Sequence, residues 1–307
     1  MLFQRRHAKR VRCKQLDYNY PDLESDFIES MEKAFVAELK DVAPRLSLLG
    51  FTMTNAKREY DGYVLEWSGI QNSVEDDALP IGTDVLSFEE FCGFVRDYPL
   101  CDLSNAYHEL NEEDAIRSRF AHDERIRKLP VNSYDTSMAY SELTFFGALV
   151  GFLHPYTLLC ILSSCVRNIE AELVWNYGPI VESGWASEEE FIPGARRSQA
   201  FLIATEGSSD VHIVKHALKL LRPEIEDFFY FIDVQESHPF SGTGNLTKFA
   251  YGLLKIDIQN NVIFVFDNDA EGYEAYERVS KMGLLPNMRV TLLPSLDEFR
   301  FFQNVRP

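Results

Sequence analysis

No two of the chain's cysteines stand as a CxxC pair, and the five present (Cys13, Cys92, Cys101, Cys160 and Cys165) are odd in number. That pattern argues against a disulfide framework or a cysteine zinc site, and it fits a reducing, cytoplasmic setting. Positive charge is also short: 48 acidic residues against 30 basic ones leave a net charge of −18. A uniformly acidic body repels phosphate, which argues against broad, non-specific nucleic-acid binding. It does not exclude a small metal site that meets phosphate through the metal. No signal peptide, internal repeat or low-complexity tract is visible. The longest apolar stretch, 145–162, has about the length of a membrane span, but Gly151 and His154-Pro155 interrupt it. It reads as two buried helical pieces, so no membrane partner is expected.

What is there is globular. In 307 residues, 46% hydrophobic and 25% charged content can build two ordinary domains. The charge is uneven. Residues 1–16 hold Arg5, Arg6, Lys9, Arg10, Arg12 and Lys14 and no acid, so the remainder carries −24. Such a segment reads as a nucleic-acid-contacting arm or as a solvated terminus.

The pattern divides the chain in two. Over 23–47, Leu23, Phe27, Met31, Phe35, Leu39 and Val42 recur at helical spacing. Over 51–70, Tyr60, Tyr63, Leu65 and Trp67 among polar residues look strand-like, and 71–86 reads as a polar loop. Helical patterns return at 87–98, 107–128 and 140–175. Glycines, prolines and an acid run punctuate 176–197, which marks a boundary. Residues 1–195 are therefore expected to be a mainly helical α+β region. Beyond it, apolar runs at 201–205, 228–233, 262–266 and 288–293 alternate with helical stretches. That rhythm predicts a small α/β domain over 196–307, a doubly wound parallel sheet covered on both faces.

Two acidic motifs end the first and third of those strands: Thr205-Glu206-Gly207-Ser208-Ser209-Asp210 and Asp267-Asn268-Asp269-Ala270-Glu271-Gly272. Sites in open α/β sheets form at the carboxyl ends of strands. If the two strands are neighbours, Glu206, Asp267 and Asp269 can converge. Clustered carboxylates repel one another, and a hard divalent cation, Mg²⁺ or Mn²⁺, would neutralise them. Gly207 and Gly272 allow close backbone approach. The plain alternative is that Asp210 and Glu271 only favour helix starts.

Glu-Gly-x-x-Asp after one strand and Asp-x-Asp-x-x-Gly two strands later resemble the TOPRIM domain, over roughly residues 198–300. That domain is shared by topoisomerases, bacterial primases, recombination-repair proteins and OLD-type nucleases. The resemblance implies Glu206 as general acid/base or metal-bridging residue, Asp267 and Asp269 as Mg²⁺ ligands, and Asp210 as a supporting acid. The wider chain is similar to bacterial HEPN/Toprim-associated proteins, which implies a role in conflict with phages. The expectation is Mg²⁺-dependent phosphodiester cleavage of DNA or RNA, with a protein partner or a second copy as a further associate. The alternative is a non-catalytic sensor or scaffold that binds metal or nucleotide.

Other motifs are weaker. Gly242-Thr-Gly-Asn-Leu-Thr-Lys248 could cradle a phosphate, with Lys248 offsetting charge, or could be a glycine-rich turn with Asn245 as helix cap. It is not a P-loop. Arg117 and His122 fit a loose Arg-x4-His pattern, and a solvated helix face explains them as well. His212 and His216 are one helical turn apart without a third ligand, as a surface pair would be.

Overall fold

A computed structural model describes residues 2–11, 25–73, 84–109, 112–131, 134, 136–137, 139–232 and 242–295. Arg12, Cys13, Lys14 and Leu23, and most of the expected loop at 71–86, lie outside the described residues. The chain divides at Pro193: Leu2–Ile192 form one unit, and the residues from Pro193 onward form the other.

The first unit is built on β1 (Ala8–Arg10), β2 (Lys33–Glu38) and β3 (Glu172–Asn176), an antiparallel sheet with β2 in the centre. The unit's helices are α1 (Ser25–Met31), α2 (Leu39–Leu48), α3 (Met53–Ser73), α4 (Phe88–Asp97), α5 (Glu113–Arg117), α6 (Glu142–Val150), α7 (Pro155–Ser163) and α8 (Gly178–Glu182). The core gathers Tyr60, Phe91, Phe94, Phe120, Phe145 and Phe146 from these helices and turns.

Several expectations for this unit are corrected, among them the helix over 107–128, of which, among the described residues, only Glu113–Arg117 is α-helical. The helix expected over 23–47 is broken by β2, whose Ala34, Phe35, Val36 and Ala37 are all buried. A central strand is covered on both faces, so its apolar run carries no alternation and mimics a buried helix. The strand expected over 51–70 is the long helix α3. Its buried residues Ala56, Tyr60 and Trp67 follow a helical period, while Leu65 is 75% exposed. The apparent alternation counted a solvent-facing leucine as core.

The apolar stretch at 140–163 is two helices, as the sequence suggests. Ser141 caps α6, its side chain accepting from Thr144 N. His154 caps α7, and Pro155 takes the first helical position, where a missing N–H costs nothing. The two helices bend by 112°, and among the described residues no single helix is long and apolar enough to cross a membrane. The helical reading ends too late, because 172–176 is β3.

The second unit is the α/β sheet. Its strands β4 (Phe201–Thr205), β5 (Phe229–Phe231), β6 (Asn261–Phe266) and β7 (Met288–Leu292) are all parallel, in the order β5-β4-β6-β7. The crossovers are α9 (Ser208–Leu221), α10 (Thr243–Lys255) and α11 (Ala270–Ser280). Along β6, Val262, Phe264 and Phe266 are buried, and they pack with Leu246, Ala250 and Leu253 of α10 and Ala275 and Val279 of α11. The β4–β5 connection runs the opposite way across the sheet, so a right-handed crossover puts α9 on the other face. Val211 is its buried anchor. The first and third strands of the unit, β4 and β6, are therefore direct neighbours.

Candidate active site at the carboxyl ends of two parallel strands

The register pairs Thr205 with Val265, so the chain leaves β4 at Glu206 beside the point where it leaves β6 at Asp267. Glu206 Oε1 accepts a hydrogen bond from Asp267 N at 2.9 Å. The two acidic motifs thus touch directly, side chain of one to backbone of the other.

Each motif is also locked internally. Gly207 is the cap residue of α9, and Asp210 reaches back so that its Oδ2 accepts from Gly207 N at 3.0 Å. Thr205 Oγ1 donates to Gly207 O at 2.8 Å. Asp269 caps α11, with Oδ1 accepting from Gly272 N at 2.7 Å. Gly272 lies so close to the Asp267 backbone that a Cβ there would collide with the Asp267 carbonyl. Close approach therefore explains that glycine. Gly207 has an ordinary extended backbone, and an added Cβ would sit 3.0 Å from Asp210 Oδ2.

A third element meets the two turns. At the start of α10, Gly242 N donates to Glu206 O at 3.3 Å, and buried Thr243 donates through Oγ1 to Glu271 Oε1 at 2.5 Å. Sequence reasoning missed Thr243, because the hydroxyl acts on a residue 28 positions away. The cap residue of this helix is Gly242, at φ +85°, and not Asn245, which the glycine-rich-turn alternative had offered. Lys248 is exposed further along α10.

The electrostatics follow from this crowding. The Glu206 carboxyl is pushed above its ordinary value first by burial, then by the charges of Asp267, Asp269 and Asp210, against the opposing Asp267 N–H. Asp267 is pushed up by burial and by Asp210 and Asp269. Hard oxygen donors with unneutralised charge suit a divalent cation of the Mg²⁺ type. Among the described residues, however, no group of three or more His, Cys, Asp or Glu side chains is arranged to hold a metal. Asp269 and Asp210 are turned toward backbone N–H groups instead. The donor set fits a cation held by one or two carboxylates and completed by water and phosphate, not a three-carboxylate cage.

Arg117 sits over the Phe145 ring at 5.8 Å and His122 is exposed in a turn, at positions in the first unit. His212 and His216 are both exposed on α9. Cys92, Cys160 and Cys165 are buried free thiols, and Cys101 is an exposed one.

No curated protein and no solved structure matches the chain. The family described as HEPN/Toprim N-terminal domain 1 matches residues 1–199, and the carboxylate-bearing sheet follows that match. With most of its length matched, the chain belongs to the HEPN/Toprim N-terminal domain 1 family.

Proposed function

We propose that the second unit is a TOPRIM-type domain that cleaves phosphodiester bonds of DNA or RNA with Mg²⁺ or Mn²⁺, in the cytoplasm. The observation that carries the reading is the Glu206–Asp267 contact. Two carboxylate-bearing turns on neighbouring parallel strands meet at 2.9 Å, and both carboxyls are raised by their surroundings. Asp267 would hold the cation together with one further carboxylate, Asp269 or Glu206. The cation would polarise the phosphate and stabilise the leaving oxygen. Glu206 holds or moves the proton: Oε1 is occupied by Asp267 N, which leaves Oε2 for the water or the leaving group. Raising the carboxyl above its ordinary value makes it a better acceptor of that proton. The acidic surface hands phosphate recognition to the cation, to basic residues of the chain, or to a protein partner or second copy. A role in phage defence accompanies the family membership in this reading.

A second reading is favoured by the inward-turned carboxylates. With Asp210 and Asp269 serving as caps, the domain could bind metal or nucleotide as a sensor or scaffold and act through a partner.

The purified full chain should be offered supercoiled plasmid, linear DNA, single-stranded DNA and RNA, each with Mg²⁺, Mn²⁺ or EDTA. Cleavage is expected with metal, lost in EDTA, and reduced about 10²–10⁴-fold in Glu206→Gln. Undiminished cleavage by that variant would overturn the site assignment. Metal binding without turnover on any substrate would establish the second reading.

A further inference from the structure

A separate feature lies on the first unit. Its edge strand β1 and the turn before it concentrate cations in a chain of net charge −18. The segment is pinned. Leu2, Phe3 and His7 are buried, and the Phe3 ring stacks on Phe35 at 5.5 Å. Ala8 pairs with Phe35 and Lys9 with Ala34 along the ladder. With the backbone held and the apolar anchors turned inward, Arg5, Arg6, Lys9 and Arg10 are left exposed.

Arg10 reaches Glu29 at 2.9 Å, but both side chains are more than half exposed and the pair contributes little. Arg10 also stands opposite Lys33 in the ladder, a like-charge pairing that costs stability. Lys33 is balanced by Glu188 at 2.8 Å. Arg5, Arg6 and Lys9 pair with no carboxylate among the described residues. The adjacent cleft is mixed in charge: Arg6, Lys9 and Lys40 face Glu38, Asp41 and Glu172, and Lys40 already binds Glu38. It is a poor pocket for a lone phosphate. Unpaired cations on a fixed turn and the strand that follows it suit successive phosphates instead.

We propose that Arg5, Arg6 and Lys9 form a docking strip for the phosphodiester backbone of a nucleic acid. Because the turn and strand are already held by their buried anchors and the ladder, binding does not have to fix them. The −24 carried outside residues 1–16 repels a polyanion elsewhere, so the strip also sets where a strand can land. The strip is independent of the carboxylate site, and its test is run without metal.

The full chain, in EDTA, is titrated with a fluorescent 20-nucleotide single strand and with the matching duplex at several salt concentrations. Arg5→Gln/Arg6→Gln/Lys9→Gln is compared with Lys219→Gln/Lys255→Gln/Lys281→Gln, which removes the same charge from the other unit. The strip variant should bind at least about 10-fold more weakly at low salt. The slope of log affinity against log salt should shrink by about 2 for the single strand. The control should bind like the parent, and matching melting temperatures check the fold. Comparison of the two arms tells which form of nucleic acid the strip prefers. Equal losses in both variants, no loss, or no binding by the parent would overturn the proposal. Failure of the nuclease reading appears only in the metal-dependent cleavage assay and leaves this titration unmoved.

Discussion

Asp267 is held among acids, and the consequence is measurable. Its carboxyl is raised from the ordinary 3.8 by burial and by Asp210 and Asp269. The folded state therefore favours the neutral form. That contribution to stability is complete below pH 3.8 and is lost as pH rises through the raised value, so at neutral pH the charge is a cost. Asp267→Asn keeps the shape and removes the charge. In EDTA at pH 7 the variant should melt about 2–5 °C higher than the parent, with the difference fading toward pH 3.8. An equal or lower melting temperature at pH 7 would show that the repulsion is not felt. Adding Mg²⁺ should raise the parent's melting temperature and leave the variant's nearly still. Glu206, Asp267 and Gly272 were legible in the sequence because each belongs to a turn whose chemistry is local. The hydroxyl of Thr243 was not, since its role depends on α10 packing beside α11.

At the level of elements, the sharp turn between α6 and α7 shows how a distant side chain completes a local signal. His154-Pro155 announces the break in sequence. The start of α7 is then finished by Glu59 of α3, which accepts from His154 N at 2.6 Å and from Thr157 Oγ1 at 2.5 Å. Thr157 is buried, so removing its acceptor leaves a polar group without its partner. Glu59→Ala should destabilise the first unit by about 1–3 kcal/mol, read as a lower denaturant midpoint. A change within about 0.3 kcal/mol would mean that water replaces the carboxylate. The misread elements share a cause. Both β2 and α3 are placed by what covers them, and the sequence does not say which apolar residues are covered. In α4 the two levels agree: Ser87 and Glu90 form a capping box before an apolar face, and the expected helix at 87–98 is found at Phe88–Asp97.

Across the whole molecule, each unit carries its own core, one around Phe91 and Phe146, the other around Val262 and Phe264. Calorimetry should therefore resolve two unfolding transitions, not one. Mg²⁺ should shift only the transition of the unit from Pro193 onward. A single transition, or a shift of both, would count against a metal site confined to the sheet. The two units also differed in legibility. The parallel sheet is made of strands that alternate with helices, and that alternation could be read along the chain, although the neighbours β4 and β6 are separated in sequence by β5. The antiparallel sheet pairs Ala34–Glu38 with 172–176, and no local pattern announces a partner that far away.

Gly272 has a consequence for inheritance. The Asp267 carbonyl occupies the space that a methyl group would need. Every missense change at that codon adds at least that much side chain. A lineage that keeps this turn can vary its surface acids and its exposed lysines, but it has one residue to pass on at this position.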